Sequence, residues 1–169
     1  TIVLMMESAN YRLVKTSIED KKAISDLLGM PEFLMRFEED PIKVNIELYF
    51  ANLLNINNFC FSIFCKKENK CIGFLLLQNY IFDEKRIEFG ISIHPDYWGK
   101  SVLSEIFPIL ISWVKRNLAP IEIFAIIEEN NSIAQKAALK LGFDLCTKTA
   151  KNEPNDLIFY HIFSIKVSE

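Results

Sequence analysis

Between Arg86 and Ile93 the side chains alternate: Ile87, Phe89, Ile91 and Ile93 are apolar, while Arg86, Glu88, Gly90 and Ser92 are polar or small. A period of two is that of a half-buried strand. Pro95 stops the ladder, because proline has no N–H to donate and disfavours helix at His94. After Gly99 the spacing turns helical, with Val102, Leu103, Ile106, Leu110 and Val114 on one stripe. This predicts a helix from about Gly99 to Asn117, bent where Pro108 removes an internal hydrogen bond. A strand, a glycine turn and a helix start leave several backbone N–H groups unpaired around one point, and such a point attracts a phosphate.

The rest of the chain supplies elements on either side. Tyr11–Lys15 reads as a short strand, and Ser17 with Asp20 as a weak capping box before a helix carried by Ile18, Ala23, Ile24, Leu27 and Leu28 and ended by Gly29. Met30–Asp40 reads as irregular. A second helix is expected from Pro41, with Ile42, Ile46, Tyr49, Phe50, Leu53 and Leu54 as its stripe. Phe59–Lys66 and Cys71–Tyr80 are strands joined by the turn Lys67–Lys70, and the turn Phe82–Lys85 leads into Arg86. These three strands are consecutive and antiparallel. Ile121–Ile127, apolar except for Glu122, predicts a strand covered on both faces. Asn131–Leu141 is a short helix capped by Gly142, and Phe143–Thr149 pairs with Leu157–Val167 across the polar loop Lys151–Asn155. No repeat or linker breaks the chain, so residues 1–169 read as one domain, a mixed sheet with helices on both faces.

Composition narrows the function classes. Half of the 169 residues are apolar, fourteen are Phe and the net charge is −3, which excludes disorder and argues against a nucleic-acid surface. Apolar runs are too short for a membrane span. The opening T-I-V-L-M-M lacks a basic flank and a cleavage site, so it does not read as a signal peptide, and Met5 and Met6 are candidate natural starts. Cys60, Cys65, Cys71 and Cys146 contain no C-x-x-C pair, and only His94 and His161 could assist them, so no metal is expected. Three of the four lie in apolar strand-like segments. They read as reduced packing cysteines of a cytoplasmic protein rather than as disulfides.

Four motifs then fall in register: Y-R-L-V-K at Tyr11–Lys15 followed by Glu19-Asp20; H-P-D-Y-W-G-K at His94–Lys100; Asn131 eleven residues before Gly142-Phe143; and Asp156 four before Tyr160. Together with the element order they resemble the GNAT N-acetyltransferase superfamily. Within it they are similar to the branch of the ribosomal-protein N-terminal (alanine/serine) acetyltransferases, over nearly the whole chain. The resemblance implies an α/β (α+β) GNAT fold: a mixed, mostly antiparallel sheet of about seven strands, flanked by about four helices and splayed at the cofactor site. It implies acetyl-CoA as cosubstrate and a primary amine as acceptor, either a protein N-terminus or a small amine such as a polyamine, amino sugar or antibiotic. The expected state is monomer or homodimer.

The same resemblance assigns roles. Backbone N–H groups around Tyr97, Trp98, Gly99, Lys100, Ser101 and Val102 would cradle the coenzyme A diphosphate at the positive end of the following helix. The amides of Ile91 and Ile93 would meet the pantetheine arm, the latter polarising the thioester carbonyl. Asn131 would bond the arm's amides, or cap its own helix, or both. Trp98 also reads as an aromatic anchor for the turn, and Lys100 as a phosphate contact or a solvated lysine. Acetyl transfer needs a neutral amine, hence a base. Glu88 is the candidate, as the only carboxylate inside the central strand; the competing reading pairs it with Arg86 on the surface. His94 is a second candidate base with a structural alternative.

Three departures from the family pattern bear on activity. Ser101 stands where a second Gly or Ala is usual, and its hydroxyl either bonds a phosphate or crowds the backbone. Ala134 replaces a Ser usual near the coenzyme sulfur; Ser132 and Tyr160 are the available substitutes, and the general acid is unassigned. Pro108 interrupts the long helix. A non-catalytic acyl-CoA-binding module is therefore the competing class, and a structural interaction domain the third. Glu32, Glu38, Glu39 and Asp40 make the acceptor-side segment acidic, which either steers a cationic acceptor or is a solvated loop.

Overall fold

The structure is a computed structural model that describes residues 5–34, 45–120, 122–153 and 156–167. The elements are β1 (Met5–Glu7), β2 (Tyr11–Lys15), α1 (Lys21–Leu28), α2 (Pro31–Leu34), α3 (Ile46–Leu53), β3 (Phe59–Cys65), β4 (Lys70–Ile81), β5 (Arg86–Ile93), α4 (Val102–Asn117), β6 (Glu122–Glu128), α5 (Ser132–Lys140), β7 (Asp144–Glu153) and β8 (Asp156–Lys166). Single 3-10 turns lie at Ile18–Asp20 and Pro95–Tyr97. Hydrogen-bonded neighbours follow the order β1-β2-β3-β4-β5-β6-β8-β7. The β5–β6 ladder is parallel, whereas β1–β2, β2–β3, β3–β4, β6–β8 and β7–β8 are antiparallel. The eighth strand, one more than expected, is β1, which pairs Met5 with Val14 and Glu7 with Arg12. Three residues are too few for a periodic signal, so this strand is set by its partner.

The chain forms two compact units, Thr1–Gln78 with Gly90–Leu110 and Asn79–Phe89 with Ile111–Glu169. In the first, the apolar stripes of the early helices meet β3 and β4: Ile24, Leu27 and Leu28 pack with Phe33, Phe50, Leu53, Cys60, Phe74 and Leu76. Each Leu, Ile or Phe fully buried there contributes roughly 1.5–3 kcal/mol relative to exposure. The Ser17–Asp20 capping box forms, with Ser17 N–H donating to Asp20 Oδ2 at 3.0 Å, but it closes the 3-10 turn that runs into α1. Asn45 caps α3, accepting from Leu48 N–H at 3.0 Å. The expected start at Pro41 lies outside the described residues, as do Glu38, Glu39 and Asp40. Within Met30–Asp40, expected to be irregular, Pro31–Leu34 makes a single helical turn with proline at its first position.

The second unit buries Ile87, Trp113, Val114, Ile123 and Phe163, and its Phe89 and Phe143 rings sit 6.5 Å apart. Coverage of β6 on both faces holds for Ile123, Phe124 and Ala125 but not for Ile126, which is 38% exposed. The last hairpin is longer than its apolar pattern: β7 runs to Glu153 and β8 starts at Asp156, so most of the polar stretch expected as a loop is paired. Main-chain ladders at a sheet edge do not require apolar side chains, and hydrophobic periodicity cannot see them. All four cysteines are free thiols, but Cys146, at a register shift of β7, is exposed rather than packed. No described helix is long and apolar enough to cross a membrane.

Candidate active site

The loop after β5 begins with a 3-10 turn that is held from several sides. His94 Nδ1 accepts from Asp96 N–H at 3.2 Å, which makes His94 a cap for the turn. Tyr97 is buried at 7% exposure, and burial, followed by nearby Glu68, pushes its hydroxyl well above the ordinary tyrosine range. Its Oη finds no hydrogen-bond partner of good geometry among the described residues. Trp98, expected as the anchor in the core, is 41% exposed. It anchors differently, donating from Nε1 to the Ile93 carbonyl at 2.8 Å and standing edge-on to Phe33 at 6.4 Å. Tyr97 is the residue that reaches the core.

These bonds decide which amides remain. Tyr97 N–H donates to His94 O, Trp98 N–H to Pro95 O and Lys100 N–H to Tyr97 O, at 2.9, 3.0 and 3.3 Å. The first helical bond of α4 runs from Glu105 N–H to Ser101 O at 3.1 Å. The amides of Val102, Leu103 and Ser104 therefore precede the first closed turn, as do those of Gly99 and Ser101. Two positions in this short span have left-handed backbone, Gly99 at φ 74° and Ser101 at φ 60°. Ser101 thus occupies a conformation that glycine adopts without cost and a side-chain-bearing residue adopts only under strain. A Cβ added at Gly99 would meet nothing within 4 Å. Space beside Gly99, together with uncommitted amides at a helix start, is compatible with a diphosphate. Lys100 lies beside it, its Nζ 5.0 Å from the Tyr97 ring centre, and with Lys70, Glu68, Asp96 and Tyr97 it lines a depression of about 350 Å³.

Strand β5 presents the next groups. His94 N–H bonds to Ile72 O on β4 at 2.7 Å, and Gly73 lets the Ser92 carbonyl approach so closely that any Cβ at residue 73 would overlap that oxygen. Because main-chain groups alternate along a strand, the N–H groups of Ile91 and Ile93 point away from β4. The parallel ladder to β6 holds Arg86–Glu122, Ile87–Ile123 and Glu88–Phe124, so both isoleucines come after its last pair. Ile91 and Ile93 are half-buried, unlike the buried Ile87 and Phe89 before them.

Glu88 is half-buried on the polar face of β5, and it does not pair with Arg86. Arg86 instead donates to Glu84 and forms an ion pair with Glu122, both at 3.0 Å, with its guanidinium 4.8 Å over the Phe124 ring. Glu88 Oε2 accepts from Asn79 Nδ2 at 2.5 Å. Asn131 caps α5, its Oδ1 accepting from Ala134 N–H at 3.1 Å, which leaves Nδ2 as the donor it can offer a ligand. Tyr160 is half-buried and Ser132 exposed, and neither sits where the described contacts identify a general acid. No group of His, Cys, Asp and Glu able to hold a metal occurs among the described residues.

Three residues that matter to this arrangement escaped the sequence reading. Gly73, inside an apolar strand, carried a signal, since an interior glycine often marks a close approach. So did Asn79, a poor strand former in a β-rich run. Glu105 carried none: it accepts from Ser8 Oγ and Asn10 N–H, both at 2.7 Å, and from Asn10 Nδ2 at 3.0 Å, tying α4 to the chain before β2.

Comparison with known proteins identifies the family. No curated protein sequence is close enough to count as a match. The fold is shared with a GNAT-family acetyltransferase from Bacillus anthracis (16% identity, 98% of this chain and 99% of that one, TM-score 0.79). It is shared too with the ribosomal-protein-S5-alanine acetyltransferase of Vibrio fischeri (18%, 99% and 98%, 0.75). A third is the spermidine N-acetyltransferase of Vibrio cholerae, solved with CoA and spermine (15%, 94% and 96%, 0.78). Residues 11–144 match the Acetyltransferase (GNAT) domain as a sequence family, and with the fold and the open helix start after Gly99 in agreement, the chain belongs to the GNAT acetyltransferases.

Proposed function

We propose that residues 1–169 act as a single acetyltransferase domain that transfers acetyl from acetyl-CoA to the α-amine of a protein N-terminus. The observation that supports the acetyl-CoA part of this reading is the pair of left-handed residues, Gly99 and Ser101, at a helix start in a chain of this family. The diphosphate is taken by the amides of Gly99, Ser101 and Val102 with the positive end of α4, and Lys100 adds charge. Tyr97 and Trp98 hold the loop in shape. Amides of Ile91 and Ile93 bind the acyl arm, Ile93 polarising the thioester carbonyl, and Asn131 Nδ2 bonds an amide of the arm.

Glu88 takes a proton from the acceptor ammonium. The neutral amine then attacks the thioester carbon: a C–N bond forms, the C–S bond breaks, the nitrogen gives up its second proton to solvent, and the thiolate leaves and takes a proton from solvent. The freedom of Glu88 from Arg86 supports this role, since a carboxylate held in an ion pair is a weaker base.

Similarity of the Tyr11–Lys15 and His94–Lys100 motifs to the N-terminal acetyltransferase branch supports a peptide acceptor. A polyamine is the second reading, supported by the comparable fold likeness to the spermidine enzyme and by the exposed carboxylates Glu19 and Glu32. The test is thiol release from acetyl-CoA with peptides beginning in Ala or Ser, and with spermidine and spermine. Glu88→Gln should lower kcat by about 10²-fold or more while acetyl-CoA still raises Tm. A rise in Tm without thiol release on any amine would make the chain a binding module, and no rise at all would remove the cofactor site.

A further inference from the structure

Asn79 is an outlier in its setting. It lies inside β4, two residues before the strand ends at Ile81, yet its φ is 52°, a left-handed value for a side-chain-bearing residue within a ladder. Asparagine tolerates that region better than most residues, but a backbone kept there within a ladder persists only when something around it compensates. The contact it makes is the short hydrogen bond from its amide to Glu88 Oε2, across the hairpin that the turn Phe82–Lys85 closes. Asn79 is exposed, so the left-handed conformation is not forced by core packing. Nor does charge hold the carboxylate, because the neighbouring cation, Arg86, is engaged by Glu84 and Glu122.

We infer that Asn79 is a positioning residue for acetyl transfer: the left-handed kink in β4 aims its amide at Glu88, fixing one carboxylate oxygen so that the other faces the acceptor. This rests on the reading of Glu88 as the base. An unrestrained glutamate on an open strand face samples several rotamers, few of which bring an oxygen to the amine. A neutral amide donor pins Oε2 without neutralising the charge that makes the group basic, which an arginine partner would do. Oε1 accepts no hydrogen bond among the described residues and is the oxygen available to the proton.

The variant Asn79→Gly separates positioning from structure, because glycine suits φ 52° as well as asparagine does but has no donor. In the full chain, Tm should stay level or rise, and KM for acetyl-CoA should stay within about twofold. Thiol release with the Ala- or Ser-initiated peptides or spermidine should nevertheless fall about tenfold or more in kcat, a loss typical of a misplaced catalytic group. Asn79→Asp, which also tolerates the left-handed region but cannot donate as a carboxylate, should fall similarly. In the background of Glu88→Gln, Asn79→Gly should cost nothing further, since a positioning residue has nothing left to position. Full kcat in Asn79→Gly, or losses that multiply in the double variant, would overturn the inference while leaving Glu88 as the base. Full kcat in Glu88→Gln, or no thiol release by the wild-type chain on any of these amines, would overturn the underlying reading and this inference with it.

Discussion

Gly73→Ala is the sharpest test of how β4 and β5 come together ahead of the loop at Pro95–Tyr97. A Cβ at residue 73 would overlap the Ser92 carbonyl oxygen and lie 3.0 Å from Ile93 Cα and 3.2 Å from Ser92 C. All three are backbone atoms of a strand, so no side-chain rotation relieves the contact. The strands must move apart locally, and overpacking of this kind costs about 1–3 kcal/mol. The bond from His94 N–H to Ile72 O, at 2.7 Å, stretches with that movement and removes about 1 kcal/mol more. Alanine restricts the unfolded chain and returns roughly 0.4–1 kcal/mol. The net loss is about 2 kcal/mol, which for a chain of this size lowers Tm by about 4–8 °C. Differential scanning calorimetry of the two proteins at pH 7 measures it directly. Because Ser92–His94 lead into the loop, stabilisation by acetyl-CoA should weaken in the same variant. A Tm equal to or above that of the wild type would refute the close approach and the register built on it.

Other expectations follow from the same structure. Burial pushes the Glu105 carboxyl up, but hydrogen bonds from Asn10 and Ser8 outweigh it and hold it below its ordinary value of 4.5. A lowered folded value means the stabilisation is present above that pH and is lost as pH falls below it. Glu105→Gln should therefore cost about 1 kcal/mol at pH 7, and the gap to wild type should narrow in melts between neutral and acidic buffer; a gap independent of pH would contradict the clamp. The Cys60 thiol is pushed up to about 12 by burial and Cys146 is exposed, so alkylation of the native protein followed by peptide mass mapping should label Cys146 first. Early labelling of Cys60 would show that β3 opens readily. Tyr97→Phe deletes a buried oxygen that has no partner of good geometry, so Tm should hold or rise by up to about 1 kcal/mol equivalent. A clear drop in Tm would mean the hydroxyl is bonded after all.

Much of the scaffold was legible because hydrophobic periodicity is a local property. The alternation at Arg86–Phe89, the helical stripe Val102, Ile106, Leu110 and Val114 and the cap at Asn131 appear where the pattern places them, whereas Ile91, Ile93 and Leu103 are only half-buried. The glycine turn at Gly99 and the four motifs in register were enough to point to the family, which the match over residues 11–144 shows. Short edge pairing was not legible: β1 and the polar end of the last hairpin are made by main-chain bonds to partners that the side-chain pattern does not encode.

Sequence by itself determined the order of the longer elements, the glycine turn before a long helix and the supply of one carboxylate on the polar face of a strand. Tertiary structure alone decided that Ser101 is left-handed, that Tyr97 rather than Trp98 is buried, and that the amides of Tyr97, Trp98 and Lys100 are already bonded. It also decided that Arg86 goes to Glu84 and Glu122 and leaves Glu88 to Asn79. The physical reason is range: a period is carried by neighbours in the chain, whereas the sign of a φ angle and the partner of a charge are set by groups brought together only when distant segments pack.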